Sequence, residues 1–97
     1  MSSIALRALQ DVIAVLEAVA LACGSTETLD EARSIASMLL ESVREGRASL
    51  DQVRRAAERL AELITDAREE LEMEGCLEAY RLDDALAALE YVKGASR

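Results

Sequence analysis

Apolar residues recur at alternating spacings of three and four from Leu50 to Leu71, through Val53, Ala57, Leu60, Ile64 and Ala67. That rhythm is the seam of an α-helix that buries one stripe against other helices. Two further segments carry comparable seams. Leu29, Ala32, Ala36, Leu39 and Val43 form one, broadened by Ile35, Met38 and Leu40. Ala79, Leu82, Leu86 and Leu89 form the other, with Ala85 and Val92 alongside. The segment before Cys23 differs, because its apolar positions fall into two adjoining stripes. Leu6, Leu9, Ile13, Leu16, Ala20 and Cys23 make the first, and Val12, Val15, Val19 and Ala22 the second. A helix apolar over so much of its circumference is buried on most sides.

Polar residues and glycines set the boundaries, predicting helices at about 3–23, 28–45, 50–74 and 77–93. Ser2 or Ser3 caps the first helix, and Thr28 with Glu31 and Ser49 with Gln52 form capping boxes for the next two. Gly24, Gly46, Gly75 and Gly94 follow as terminators. Short connections make consecutive helices antiparallel. The expected fold is therefore all-α, an up-down-up-down four-helix bundle forming one domain over residues 1–97. The surplus stripe Val12, Val15, Val19 and Ala22 then either sits centrally in the monomer or meets a second copy. A homodimer, through this stripe or the flank of the second helix, is the simplest use of the extra apolar area.

Composition agrees with a helical interior of small aliphatic side chains: 52% of residues are hydrophobic, only Tyr80 and Tyr91 are aromatic, and proline is absent. The formal net charge of -8 argues against a duplex nucleic-acid binder, which needs a basic surface, and favours basic partners. The long apolar run from Ile4 to Cys23 is broken by Arg7, Gln10, Asp11 and Glu17, so it suits neither a membrane span nor a secretory signal. A cytoplasmic protein is expected. The basic residues are arginine except for Lys93, a bias that suits a GC-rich bacterial or phage genome.

Folding the helices up and down brings Cys23 beside Cys76. Two readings stay open: a disulfide, which would stabilise by about 4 kcal/mol in the chain-entropy model, or two reduced thiols, which accompany a cytoplasmic location. The same folding gathers Glu27, Asp30, Glu31, Asp66, Glu69, Glu70, Glu72, Glu74, Glu78, Asp83 and Asp84 at the cysteine end. Arg7, Arg44, Arg47, Arg54, Arg55, Arg59, Lys93 and Arg97 gather at the other. The run from Glu69 to Glu74 places carboxylates on the negative end of a helix, where local stability does not explain them. Glu69, Glu70, Glu72, Glu74 and Glu78 are the candidate residues for binding a partner with a basic surface.

Chemistry is sparse. The chain has no histidine, which removes the commonest general base and the usual imidazole metal ligand, and the glycines do not form a phosphate-binding loop. The Glu-x-x-His pattern of di-iron bundles cannot occur. No catalytic residue, metal or cofactor is expected. Three functions fit what is left: a small acidic interaction module such as an adaptor, regulator or inhibitor; a binder of a small apolar ligand in the bundle core; and a structural or designed scaffold.

Overall fold

Local hydrogen bonds to terminal backbone groups fix where the second and third helices begin and end. The computed structural model describes residues 3–95 and contains α1 (Ser3–Cys23), α2 (Glu27–Arg44), α3 (Leu50–Met73), a 3₁₀ segment (Leu77–Arg81) and α4 (Leu82–Ala95). No strand occurs among the described residues. The start of α3 follows the sequence closely. Ser49 Oγ accepts from the Gln52 amide at 3.1 Å while Gln52 Oε1 accepts from the Ser49 amide at 2.9 Å, a complete capping box.

The start of α2 departs from expectation. Thr26, not Thr28, is its cap: extended at φ -114° and ψ 164°, it accepts from the Leu29 amide at 3.1 Å. Thr28 lies inside the first turn, and its hydroxyl instead donates to Glu70 Oε1 at 2.8 Å. The cap expected at Ser2 lies outside the described residues, and Ser3 is already helical.

The end of α3 is closed by Gly75. At φ +82° this residue occupies the left-handed region, where a β-carbon is unfavourable. Its amide donates to the Glu72 carbonyl at 3.0 Å and that of Cys76 to the Leu71 carbonyl at 3.0 Å, the paired bonds of a Schellman motif. The chain leaves this turn in 3₁₀ geometry and becomes α-helical only at Leu82. The single helix expected over 77–93 is therefore two segments, and Gly94 lies within α4 rather than ending it.

α1 packs against α2 and α4, and α3 packs against the same two helices. The principal extents of 39 × 19 × 18 Å are one helix long and two helices across. Leu9, Leu16, Leu29, Leu60, Ile64, Leu71, Leu82 and Leu89 are fully buried at the centre. The α3 seam is buried from Val53 to Leu71, joined by Leu63, but Leu50 is 49% exposed because it is the first residue of the helix.

α1 buries Leu9 and Leu16 from its first stripe, Val12 and Val19 from its second, and Ala5 and Ala8 from neither. This corrects the subunit interface expected at Val12, Val15, Val19 and Ala22. Val12 and Val19 are fully buried inside the monomer, Val15 is half-buried, and only Ala22 is exposed. The stripe fails as a surface because α1 is flanked on two sides, and α4 takes up the arc left free by α2.

Candidate functional site

The Schellman turn after α3 delivers Cys76 to the end of α1, where it is joined to Cys23. The two form a disulfide with a Cα–Cα distance of 5.7 Å and a sequence separation of 53 residues. That distance is ordinary for such a bond. Of the two readings the sequence left open, the structure has the disulfide rather than the reduced pair. Both cysteines are half-buried, so the bridge lies at the margin of the core.

Around this bridge stand the carboxylates singled out by the sequence. Glu69, Glu70, Glu72 and Glu74 are exposed and Glu78 is half-buried. Three of them are held in place. Glu70 accepts from Thr28; Glu72 lies 3.3 Å from Arg68; Glu78 lies 3.5 Å from Arg81. Arg68 also reaches Asp83 at 2.9 Å and so ties α3 to α4, although its buried Nε lacks a well-aligned hydrogen bond. No basic residue stands in the last turn of α3, so the negative end of that helix and its glutamates are stacked. Exposed pairs of this kind contribute little to stability.

Charge is less cleanly divided along the bundle than expected. Arg59, assigned to the basic end, reaches Glu31, assigned to the acidic end, at 3.4 Å. Arg97 lies outside the described residues. Asp11 and Glu17 are exposed, in keeping with a wet edge of α1.

Sequence periodicity did not single out the apolar side chains that the disulfide end exposes. Met73 is 90% and Leu77 88% exposed, and Tyr80 is 63% exposed. Leu77 and Tyr80 are three residues apart in a 3₁₀ segment, where such positions eclipse, so they share one outward face. The sequence offers Tyr80 two places, the core margin or a partner surface, and at 63% exposure it does not seal the core. The only local signal was the adjacency of Leu77 to Cys76, which a helical-wheel reading ignores. The other tyrosine, Tyr91, is also exposed, on α4.

A second surface lies between α2 and α3 near their connection. Here a groove of about 370 Å³ is lined by Ile35, Met38, Leu39, Ala48 and Ala56, with Ser42, Arg47 and Gln52 as polar members. Met38 is 68% exposed at this groove. The sequence offers a ligand channel in the bundle core where Ala56, Ala57, Ala61, Ala85 and Ala88 face one another, and of these Ala56 lines the surface groove. Ala57 and Ala85 are instead packed at zero exposure, and this groove opens at the surface.

Among the described residues, no cluster of three or more carboxylates or cysteines is arranged to hold a metal ion. Among them too, no helix is long and apolar enough to cross a membrane. Comparison of the chain with protein-family models, with curated proteins and with solved structures finds no match in any of the three.

Proposed function

We propose that the protein is a small acidic interaction module that works by surface binding, through the end of the bundle that carries the Cys23–Cys76 bridge. One observation carries this reading: Met73, Leu77 and Tyr80 stay exposed at the end where Glu69, Glu70, Glu72, Glu74 and Glu78 gather. Exposed apolar side chains rimmed by like charge suit a partner with the inverse pattern, apolar at its centre and basic at its margin. Such a partner is a protein segment rather than a nucleic acid, whose phosphates the carboxylates would repel. Up-down ordering of the helices belongs with this reading, since Thr28 at the start of α2 meets Glu70 near the end of α3.

A synthetic amphipathic helix of leucine and lysine, labelled for fluorescence anisotropy, tests the proposal. The protein is expected to bind it, and to bind more weakly when Glu69, Glu70, Glu72 and Glu74 are changed to Gln or when Leu77 is changed to Ser. Equal affinity for a control peptide with glutamate in place of lysine would sink the reading.

A second reading is favoured by the groove between α2 and α3, whose volume of about 370 Å³ lies at the lower end for small-molecule sites. It would take a compact apolar ligand beside Met38, or a second copy of the chain in a homodimer. Sedimentation across protein concentration separates these two occupants. A cytoplasmic location belongs with the interaction module only if the Cys23–Cys76 bridge opens and closes, because cytosolic thiols are kept reduced.

A further inference from the structure

We infer that the groove between α2 and α3 is a site for a medium-chain monocarboxylate, with the acyl chain lying beside Met38 and the carboxylate held at Arg47. The inference rests on the second reading above, that this groove takes a small apolar ligand, and it adds the head group that the ligand carries.

Side-chain size makes the groove. Ile35, Leu39 and Ser42 line it from one face of α2, while Ala48, Gln52 and Ala56 line it from the other side at every fourth residue. Alanine at two of those three positions leaves open the space that a larger side chain would fill. Leu39 belongs to the core, and Ile35, Ala48 and Ala56 pack against that core, so the apolar lining is continuous with the interior. Met38 stands exposed beside them, and its flexible thioether chain can fold over an occupant. From Ile35 to Ser42 the groove follows α2 for about 10 Å, a length that suits an unbranched chain such as that of octanoate.

The connection between the helices makes the polar end. The Arg47 amide donates to the Ser42 carbonyl at 2.9 Å, which folds Arg47 back beside the last turn of α2. Among the described residues that line the groove, Arg47 alone is charged, although the chain as a whole carries -8. Its Nε donates to Glu45 at 2.6 Å, and its side chain has no other partner among the described residues. A guanidinium has five N–H donors, so the bond to Glu45 orients the group without exhausting it. The Gln52 oxygen already accepts from the Ser49 amide, and what Gln52 offers a ligand is therefore its NH₂. Arg47 and Gln52 thus present donors only, and the Ser42 hydroxyl can donate as well. That set suits a carboxylate and repels an amine.

The direction of the chain follows from a neighbouring carboxylate. A second depression, of about 300 Å³, shares Met38, Ser42 and Arg47 but is lined also by Glu41. Glu41 disfavours an anionic ligand there, whereas the larger groove toward Ile35 and Ala56 has no acidic residue among its described lining.

Titration of the full chain with octanoate and with octanol, followed through amide chemical shifts, tests the assignment. Octanoate is expected to bind about fivefold more tightly than octanol, the upper range for one exposed ion pair, and to shift amides within residues 35–56. Arg47→Gln should abolish that preference while octanol binding persists. Ala56→Leu keeps a good helix former and fills the groove, so it should remove binding of both compounds from a chain that circular dichroism shows to be folded. Octanol bound as tightly as octanoate by the natural chain would overturn the inference and leave the groove reading standing. Binding of neither compound overturns both. Shifts centred on Leu77 and Tyr80 would move the ligand to the disulfide end and overturn the site. A natural chain that sediments as a dimer, and as a monomer with Ala56→Leu, would give the groove to a second copy and overturn the inference as well.

Discussion

The hydroxyl of Thr28 donates to Glu70 across the α2–α3 contact at 2.8 Å, while Thr26, two residues earlier, caps the helix that Thr28 was expected to start. The two threonines therefore do different work. Thr26→Ala removes the acceptor for the Leu29 amide and is expected to cost about 1 kcal/mol, as loss of a cap does. Thr28→Val removes one exposed hydrogen bond and should cost less than about 1 kcal/mol. Urea unfolding of the two variants checks the order; a larger loss for Thr28→Val would return the cap to that residue.

The α3 seam offers a paired test along one stripe. Leu60 is fully buried, so Leu60→Ala deletes packed atoms and leaves a cavity, at a cost of about 2–5 kcal/mol. Leu50 belongs to the same periodic series but is 49% exposed, and Leu50→Ala is expected to stay below about 1 kcal/mol. Similar losses at both positions would mean that the first turn of α3 is covered by something outside the monomer.

Val12 and Val19 carry the third prediction. Both are fully buried within one chain, so Val12→Ala and Val19→Ala should each cost about 2 kcal/mol through lost burial and the space left behind. Their effect on the urea midpoint should be the same at low and high protein concentration. A loss that shrinks as concentration rises would restore these residues to a subunit interface.

These tests fall where sequence patterning and structure part company. Period and punctuation located α1, α2 and α3 to within one residue, because apolar spacing and glycine turns act over a few residues and do not depend on distant neighbours. They failed where a long-range contact decides a local choice. Thr28 resembles a cap, yet Glu70, far along the chain, provides an alternative partner. Val12 and Val19 resemble a spare stripe until α4 is placed beside α1. Leu77–Arg81 has α-helical composition, yet it leaves the Schellman turn of α3 with Ala79 buried against α1 and α3 and takes 3₁₀ geometry instead. Of the candidate site, the carboxylates were legible as a run of like charge. The exposure of Met73, Leu77 and Tyr80 was not, since an apolar residue off a seam can still be covered by a neighbouring helix, which spacing along its own helix does not reveal.

The bridge itself should dominate stability. Closing a separation of 53 residues stabilises by about 4 kcal/mol in the chain-entropy model. Cys23→Ala with Cys76→Ala, or reduction of the natural chain, is expected to lower the unfolding free energy by about that amount while leaving a folded bundle. The unreduced chain should weigh two hydrogens less than the reduced one by mass spectrometry, and an unmodified mass would remove the bridge.

Stability and binding should move in opposite directions at the acidic end. Glu70 and Glu72 stand in the last turn of α3, where the helix dipole opposes negative charge, and no basic side chain occupies that turn. Glu69 and Glu74 flank them, and all four are exposed. Changing the four to Gln relieves this repulsion, removes the weak pair between Glu72 and Arg68, and leaves an amide oxygen at position 70 to accept from Thr28. The variant is therefore expected to be as stable as the natural protein or more so, by up to about 1 kcal/mol in low salt. Its affinity for the leucine–lysine peptide should fall, and the residual binding should lose most of its salt dependence, because exposed charges are screened within about 10 Å at 0.1 M salt. Thermal unfolding and anisotropy titrations at two salt concentrations measure both effects. If the four glutamates existed for the fold alone, the substitutions would destabilise the bundle and leave peptide binding unchanged.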